Sequence, residues 1–168
     1  MRLVWRIAAA WALLSGAAAA QPADVHGFGD IRLGMTAAEL RGQLRDALQV
    51  EATAVRPRYT THVILGRLPR AAEIVIAPDG GVAQVRIGPD VVGFSRERDA
   101  EAIESELRQS YGHNAWVAEQ NEATVRGRTK MRELTWTFPS AIVEFRHRLE
   151  ESAAGVRDEL SLILSRPR

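Results

Sequence analysis

The groups able to do chemistry in this chain are few and scattered. Histidines stand at positions 26, 62, 113 and 147, and no pair has the i, i+4 or clustered spacing that a metal ion needs. Ser95 and Ser140 lack the G-x-S-x-G surroundings that expose a nucleophile on a strand-to-helix turn. Gly27-Phe28-Gly29 is too short to cradle a phosphate and precedes no strong strand. With no cysteine, neither thiol catalysis nor disulfides are available. No catalytic residue, metal ligand or cofactor is therefore assigned. What remains of an enzymatic reading is His113 close behind Tyr111, an imidazole and a phenol that could move protons beside a carboxylate.

Binding has more to work with. Arg126-Gly127-Arg128-Thr129-Lys130-Met131-Arg132 is the one concentrated basic run, and Lys130 is the only lysine in the chain. Guanidinium groups pair bidentately with carboxylates and phosphates. The matching partner chemistry is an acidic protein surface or a phosphate-bearing envelope lipid. The same run also reads as a solvated hairpin loop. Arg146 and Arg148 lie on a later alternating stretch, out of phase with its apolar residues. Trp116 is free of such a pattern and suits an interface anchor. The candidate partner-binding residues are thus Arg126, Arg128, Lys130, Arg132, Arg146, Arg148 and Trp116.

Location comes from the first residues. Met1–Ala20 has the form of a secretory signal peptide, with Arg2 and Arg6, a short apolar core over Ile7–Leu14, and Ala18-Ala19-Ala20 before Gln21. The apolar run falls short of the roughly 20 residues needed to span a bilayer. Leu14-Ser15-Gly16 starts like a lipobox, but Ala17 stands where the lipid-bearing cysteine would be. Cleavage after Ala20 should give a soluble periplasmic protein without stable membrane insertion. The remaining chain is close to neutral, which removes any global pull toward nucleic acid.

The elements that position these residues are readable in part. Residues 21–28 read as a loose leader. Thr36 and Glu39 form a capping box, with Met35 and Leu40 as its hydrophobic staple. Leu40, Leu44, Ala47 and Leu48 then repeat at helical spacing, predicting a helix over 36–49. Strands are expected at 60–65, 73–77 and 82–87, with Asp79-Gly80-Gly81 as a hairpin turn. Gly93-Phe94-Ser95 then repeats the character of Gly34-Met35-Thr36, and a second helix is expected over about 97–110. A short strand at 115–119, a polar loop or strand extension at 121–130, and three clear strands ending near 164 complete the chain. The expected fold is α+β, with two helices packed on one face of an antiparallel sheet. Residues 29–168 form either a single domain or a tandem α-β-β-β repeat, 29–90 and 91–166.

Ile31-Arg32-Leu33-Gly34-Met35-Thr36, followed by Glu39-Leu40, resembles the opening helix of the SmpA/OmlA-type outer-membrane assembly lipoproteins, whose domains continue into an antiparallel sheet. A helix-on-sheet unit in tandem also resembles the β-lactamase-inhibitor protein family, which binds its target through one concave sheet face. The lipid-bearing cysteine of the first family and the disulfides of the second are absent here. The resemblances imply a non-enzymatic module that binds an envelope protein, in assembly or in inhibition.

Overall fold

The structure, a computed structural model, describes residues 22–52, 57–65, 68–92 and 97–167. Residues 1–20, read above as a signal peptide, and the Gly93-Phe94-Ser95 echo of Gly34-Met35-Thr36 lie outside the described residues. Ten strands and two helices follow in the order β1 (Gly27–Phe28), β2 (Ile31–Arg32), α1 (Ala37–Leu44), β3 (Gln49–Glu51), β4 (Arg58–Leu65), β5 (Leu68–Ile76), β6 (Val82–Val92), α2 (Glu97–Tyr111), β7 (Trp116–Thr124), β8 (Gly127–Thr137), β9 (Ile142–Ser152) and β10 (Gly155–Ser165).

The α+β expectation is corrected. Strands take 58% of the structure and helices 18%, so the protein is mainly β. Four strands, not three, follow each helix. They form one eight-stranded antiparallel sheet in the order β3-β4-β5-β6-β10-β9-β8-β7, while β1 and β2 pair separately. Two physical reasons account for the difference. The first helix is shorter than its apolar spacing suggests. Arg45 takes a left-handed φ of 48°, which ends α1 after Leu44, and a single 3-10 turn follows. The strands are in turn longer than their apolar residues. The polar segments 121–130 and 150–157 continue as paired ladders, because a hairpin extending past the helices has no face to bury.

The start of α1 is built as its sequence demands. The Thr36 side chain accepts the backbone N–H of Glu39, and the Glu39 carboxylate accepts the Thr36 N–H at 2.7 Å. Those bonds hold the Glu39 carboxyl below its ordinary range. The entry is stitched to the β5–β6 turn by Gly34 N–H to the Val82 carbonyl and Val82 N–H to the Met35 carbonyl, both at 2.8 Å. Arg166 closes the same corner, donating to the Val82 carbonyl and pairing with Asp79. Thr36→Ala should lower stability by about 1 kcal/mol in denaturant titration; a change within error would show that the stitching alone holds the helix start. The segment before it has contacts of its own. Asp24 accepts the backbone N–H and hydroxyl of Ser140, and Val25 is buried.

The registers divide the sheet cleanly into two faces. Tyr59, Thr61, Ala72, Ile74, Val85, Ile87, Leu160, Leu162, Leu164, Val143, Phe145, Leu134 and Trp136 share one face and are buried. Leu40 of α1 joins this core, as do Ala100, Ile103, Leu107 and Tyr111 of α2, spaced as one helical stripe. Tyr111 packs against Trp136 with ring centroids 5.8 Å apart, and the Trp136 indole donates to the Gly112 carbonyl at 2.8 Å. Gly112, at φ 91°, ends α2 by donating its N–H to the Arg108 carbonyl.

Candidate functional site

The inner face of β7, β8 and β9 runs past α2 and leaves a groove of about 930 Å³ between sheet and helix, near the upper end of roughly 300–1,000 Å³ typical of small-molecule sites. Its helical wall includes Glu101, Glu104, Ser105, Arg108 and Gln109, with His113 beyond the helix end. Its floor is set by register. Glu119 of β7 lies beside Arg132 of β8, which lies beside His147 of β9; the next row is Asn121, Lys130 and Leu149.

One ion-pair network ties wall to floor. Glu104 accepts from Arg132 Nε at 2.8 Å and from Arg132 Nη2 at 2.9 Å, a bidentate pair. Arg108 Nε also donates to Glu104 at 2.9 Å, and Arg132 pairs further with Glu119. The Arg132 guanidinium, aided by Arg108, holds the Glu104 carboxyl below its ordinary value of 4.5, and Glu104 in turn raises Arg132. A carboxylate held down in the folded state contributes stability above its unfolded value, and that stability is lost as pH falls through the folded value. Glu104→Gln should therefore cost about 2 kcal/mol at pH 7 and converge on wild type below the ordinary glutamate range. Urea titrations across that range check it; an unchanged gap at low pH would rule out the charge as the cause.

Deeper in the groove, His147 Nε2 sits 2.8 Å from the buried Asp158 carboxylate. The histidine is satisfied within the fold. The Lys130 side chain makes no ion pair or hydrogen bond among the described residues, and Arg128 donates to Asn121 at 3.0 Å.

The structure separates the seven candidate residues. Lys130 and Arg132 line the groove, Arg128 follows on the same face of β8, and Arg126 stands in the β7–β8 turn. Arg146 and Arg148 are on the opposite face, because the pairing of Arg132 with His147 puts even positions of β8 beside odd positions of β9. Both are neutralised there, Arg146 by Glu133 at 3.1 Å and Arg148 by Glu150 at 2.5 Å. Trp116 is on that same outer face, at the edge of the sheet, and 63% exposed. Tyr111 and His113 are not brought together. His113 lines the groove, whereas Tyr111 does not and is buried, which pushes its hydroxyl up to about 12.

Arg108, Glu119 and Asp158 are not singled out in the sequence, and Glu104, which reads there as part of an acidic outer face of the second helix, instead turns toward the sheet and lines the groove. The i, i+4 spacing of Glu104 and Arg108 on a helix was a usable signal. Nothing local links Asp158 to His147. Among the described residues, no group of three His, Cys, Asp or Glu is arranged to hold a metal ion, and no helix is long and apolar enough to cross a membrane. No family model, curated protein or solved structure matches this chain.

Proposed function

We propose that this chain is a non-enzymatic interaction module of the cell envelope, exported to the periplasm by residues 1–20. It recognises another envelope protein, in assembly or in inhibition, through the outer face of its sheet. The observation that supports this reading is the arrangement of the two faces. Helices and core occupy one face, and among the described residues the other carries no helix. A single outer row crosses the sheet from Trp116 through Thr135, Glu144, Ile163, Arg86, Glu73 and Thr60 to Gln49. Trp116 and Ile64 are large apolar residues that stand out from this face, each 63% exposed. Arg146 and Arg148 add hydrogen-bonding groups, but their ion pairs make the surface mixed rather than cationic. Such a face suits a polar, mixed-charge partner with an aromatic anchor at one side. The resemblance of Ile31–Leu40 to the assembly lipoproteins points to the same compartment.

The competing reading is catalysis in the groove by His113 and Tyr111 beside a carboxylate. The groove supports it with His113 and Glu119. The burial of Tyr111 weighs against it, because its phenol is packed in the core and does not line the groove that His113 faces.

Capture of envelope proteins on immobilised wild type and Trp116→Ala tests the proposal. An anchor of this kind contributes about 2 kcal/mol or more, so the variant should retain its fold and lose roughly thirtyfold in affinity. Equal capture by both proteins would move the interface off this face. Turnover of a small molecule that His113→Ala abolishes would favour the enzyme.

A further inference from the structure

Strand β7 forms one edge of the eight-stranded sheet. It pairs with β8 from Trp116 to Thr124 in unbroken register, without a bulge. It contains no proline or lysine, and eight of its nine residues are exposed. The opposite edge, β3, is only three residues long. Natural sheets blunt their edges by shortness, bulges, proline, lysine or inward-pointing charge; β3 uses the first of these, and β7 has only the inward Glu119, whose charge Arg132 already pairs. The backbone N–H and C=O groups of β7 that point away from β8 have no strand beside them among the described residues.

The same strand forms a rim of the groove. Glu119, Gln120 and Asn121 line it, with Gln109 and His113 among the groups opposite. A strand laid along β7 would place its inward side chains at the mouth of that groove. Glu119 and Glu122 are the only charged residues of β7. They point to opposite faces, since Glu119 shares the inner face with Arg132 and Glu122 is out of phase with it. Glu119 is 64% exposed and meets Arg132 through Oε1, leaving Oε2 for an incoming donor. Glu122 makes no ion pair among the described residues.

We infer that β7 accepts an extended segment of a partner protein as a ninth strand, and that this segment carries two basic residues three positions apart, one opposite Glu119 and one opposite Glu122. The inference rests on the reading of the chain as an interaction module and names a second surface of it. Main-chain bonds along β7 supply affinity, and the two carboxylates supply selectivity.

The experiment uses the full exported chain and the capped peptide Thr-Val-Arg-Val-Thr-Arg-Val-Thr, with a control in which both arginines are glutamate. Hydrogen exchange is read residue by residue. At saturating arginine peptide the outward amides of β7 should slow about tenfold or more, while those of β3 stay unchanged. The glutamate peptide should bind roughly tenfold more weakly, having lost two attractive cross-strand pairs and gained two repulsive ones. In Glu122→Lys that preference should shrink by about threefold or more. Absence of binding, binding that protects another element, or equal binding of both peptides overturns the inference. So does protection of β7 that rises with protein concentration in the absence of peptide, which would make a second copy the occupant. The two readings fail separately. Loss of envelope-protein capture in Trp116→Ala, with β7 unprotected by the peptide, keeps the module and rejects the edge.

Discussion

Replacing Trp136 with alanine should destabilise the protein by about 4 kcal/mol, the largest effect of any single substitution considered. Trp136 is fully buried, packed on Tyr111, and on the same inner face as Val143 of β9. Its loss removes a large apolar surface and the bond from its indole to the Gly112 carbonyl, the point at which α2 ends. Chemical denaturation gives the change directly, as a shift of midpoint with little change in slope. Trp136→Phe separates the two contributions. It keeps most of the ring and leaves Gly112 without its donor, for a cost of about 1–3 kcal/mol. A loss under about 1 kcal/mol in the alanine variant would mean that the interface of α2 with the sheet is looser than its geometry.

Leu40→Ala should cost about 3 kcal/mol, and its signature should be local. Leu40 is the only buried residue of α1, a helix of eight residues. A helix that short has little stability apart from tertiary packing, so the capping box and the half-buried Ala37 and Leu44 cannot hold it once its one fully buried side chain is gone. Amide exchange in α1 should approach that of an open segment while β8 and β9 keep their protection. Wild-type protection of α1 in the variant would show that the stitching of Gly34, Met35 and Val82 carries the helix instead.

These two residues also show what could be read from the chain. Thr36, Glu39 and Leu40 act within a few positions of one another, and their geometry follows from local chemistry. The alternating runs around Leu134, Val143 and Leu162 similarly declared which residues meet the core, because a buried face imposes a period of two. The ends of those strands carried no such mark. Between Asn121 and Lys130 neither face is apolar, so periodicity has nothing to report: the edge strand reads only as a short strand over 115–119, with 121–130 either a loop or a strand extension. The basic residues fared in the same way. Arg132 and Arg146 both read as candidate partner contacts, yet the β8–β9 register sends them to opposite faces. A register is a relation between two strands, and neither strand states it alone. The groove is hidden for the same reason, since Glu104, Arg132, Glu119 and His147 meet only after three strands and a helix have been set in place.

The meeting of β6 and β10 has a consequence for how the molecule assembles. Each ladder within β3–β6 and within β7–β10 joins strands adjacent in the chain, so those pairings close small loops and carry little entropic cost. The β6–β10 ladder is different. It sets Val85 against Leu164 and Ile87 against Leu162, across nearly the whole of the second half of the chain. Non-local pairing of this kind slows folding, so the two meanders should form early and independently, and the step that joins them should limit the rate. Until it does, Val85, Ile87, Leu162 and Leu164 belong to two unfinished edges. During synthesis the first of these edges emerges well before its mate, and the kinetic hazard of the protein is therefore concentrated at the middle of its sheet.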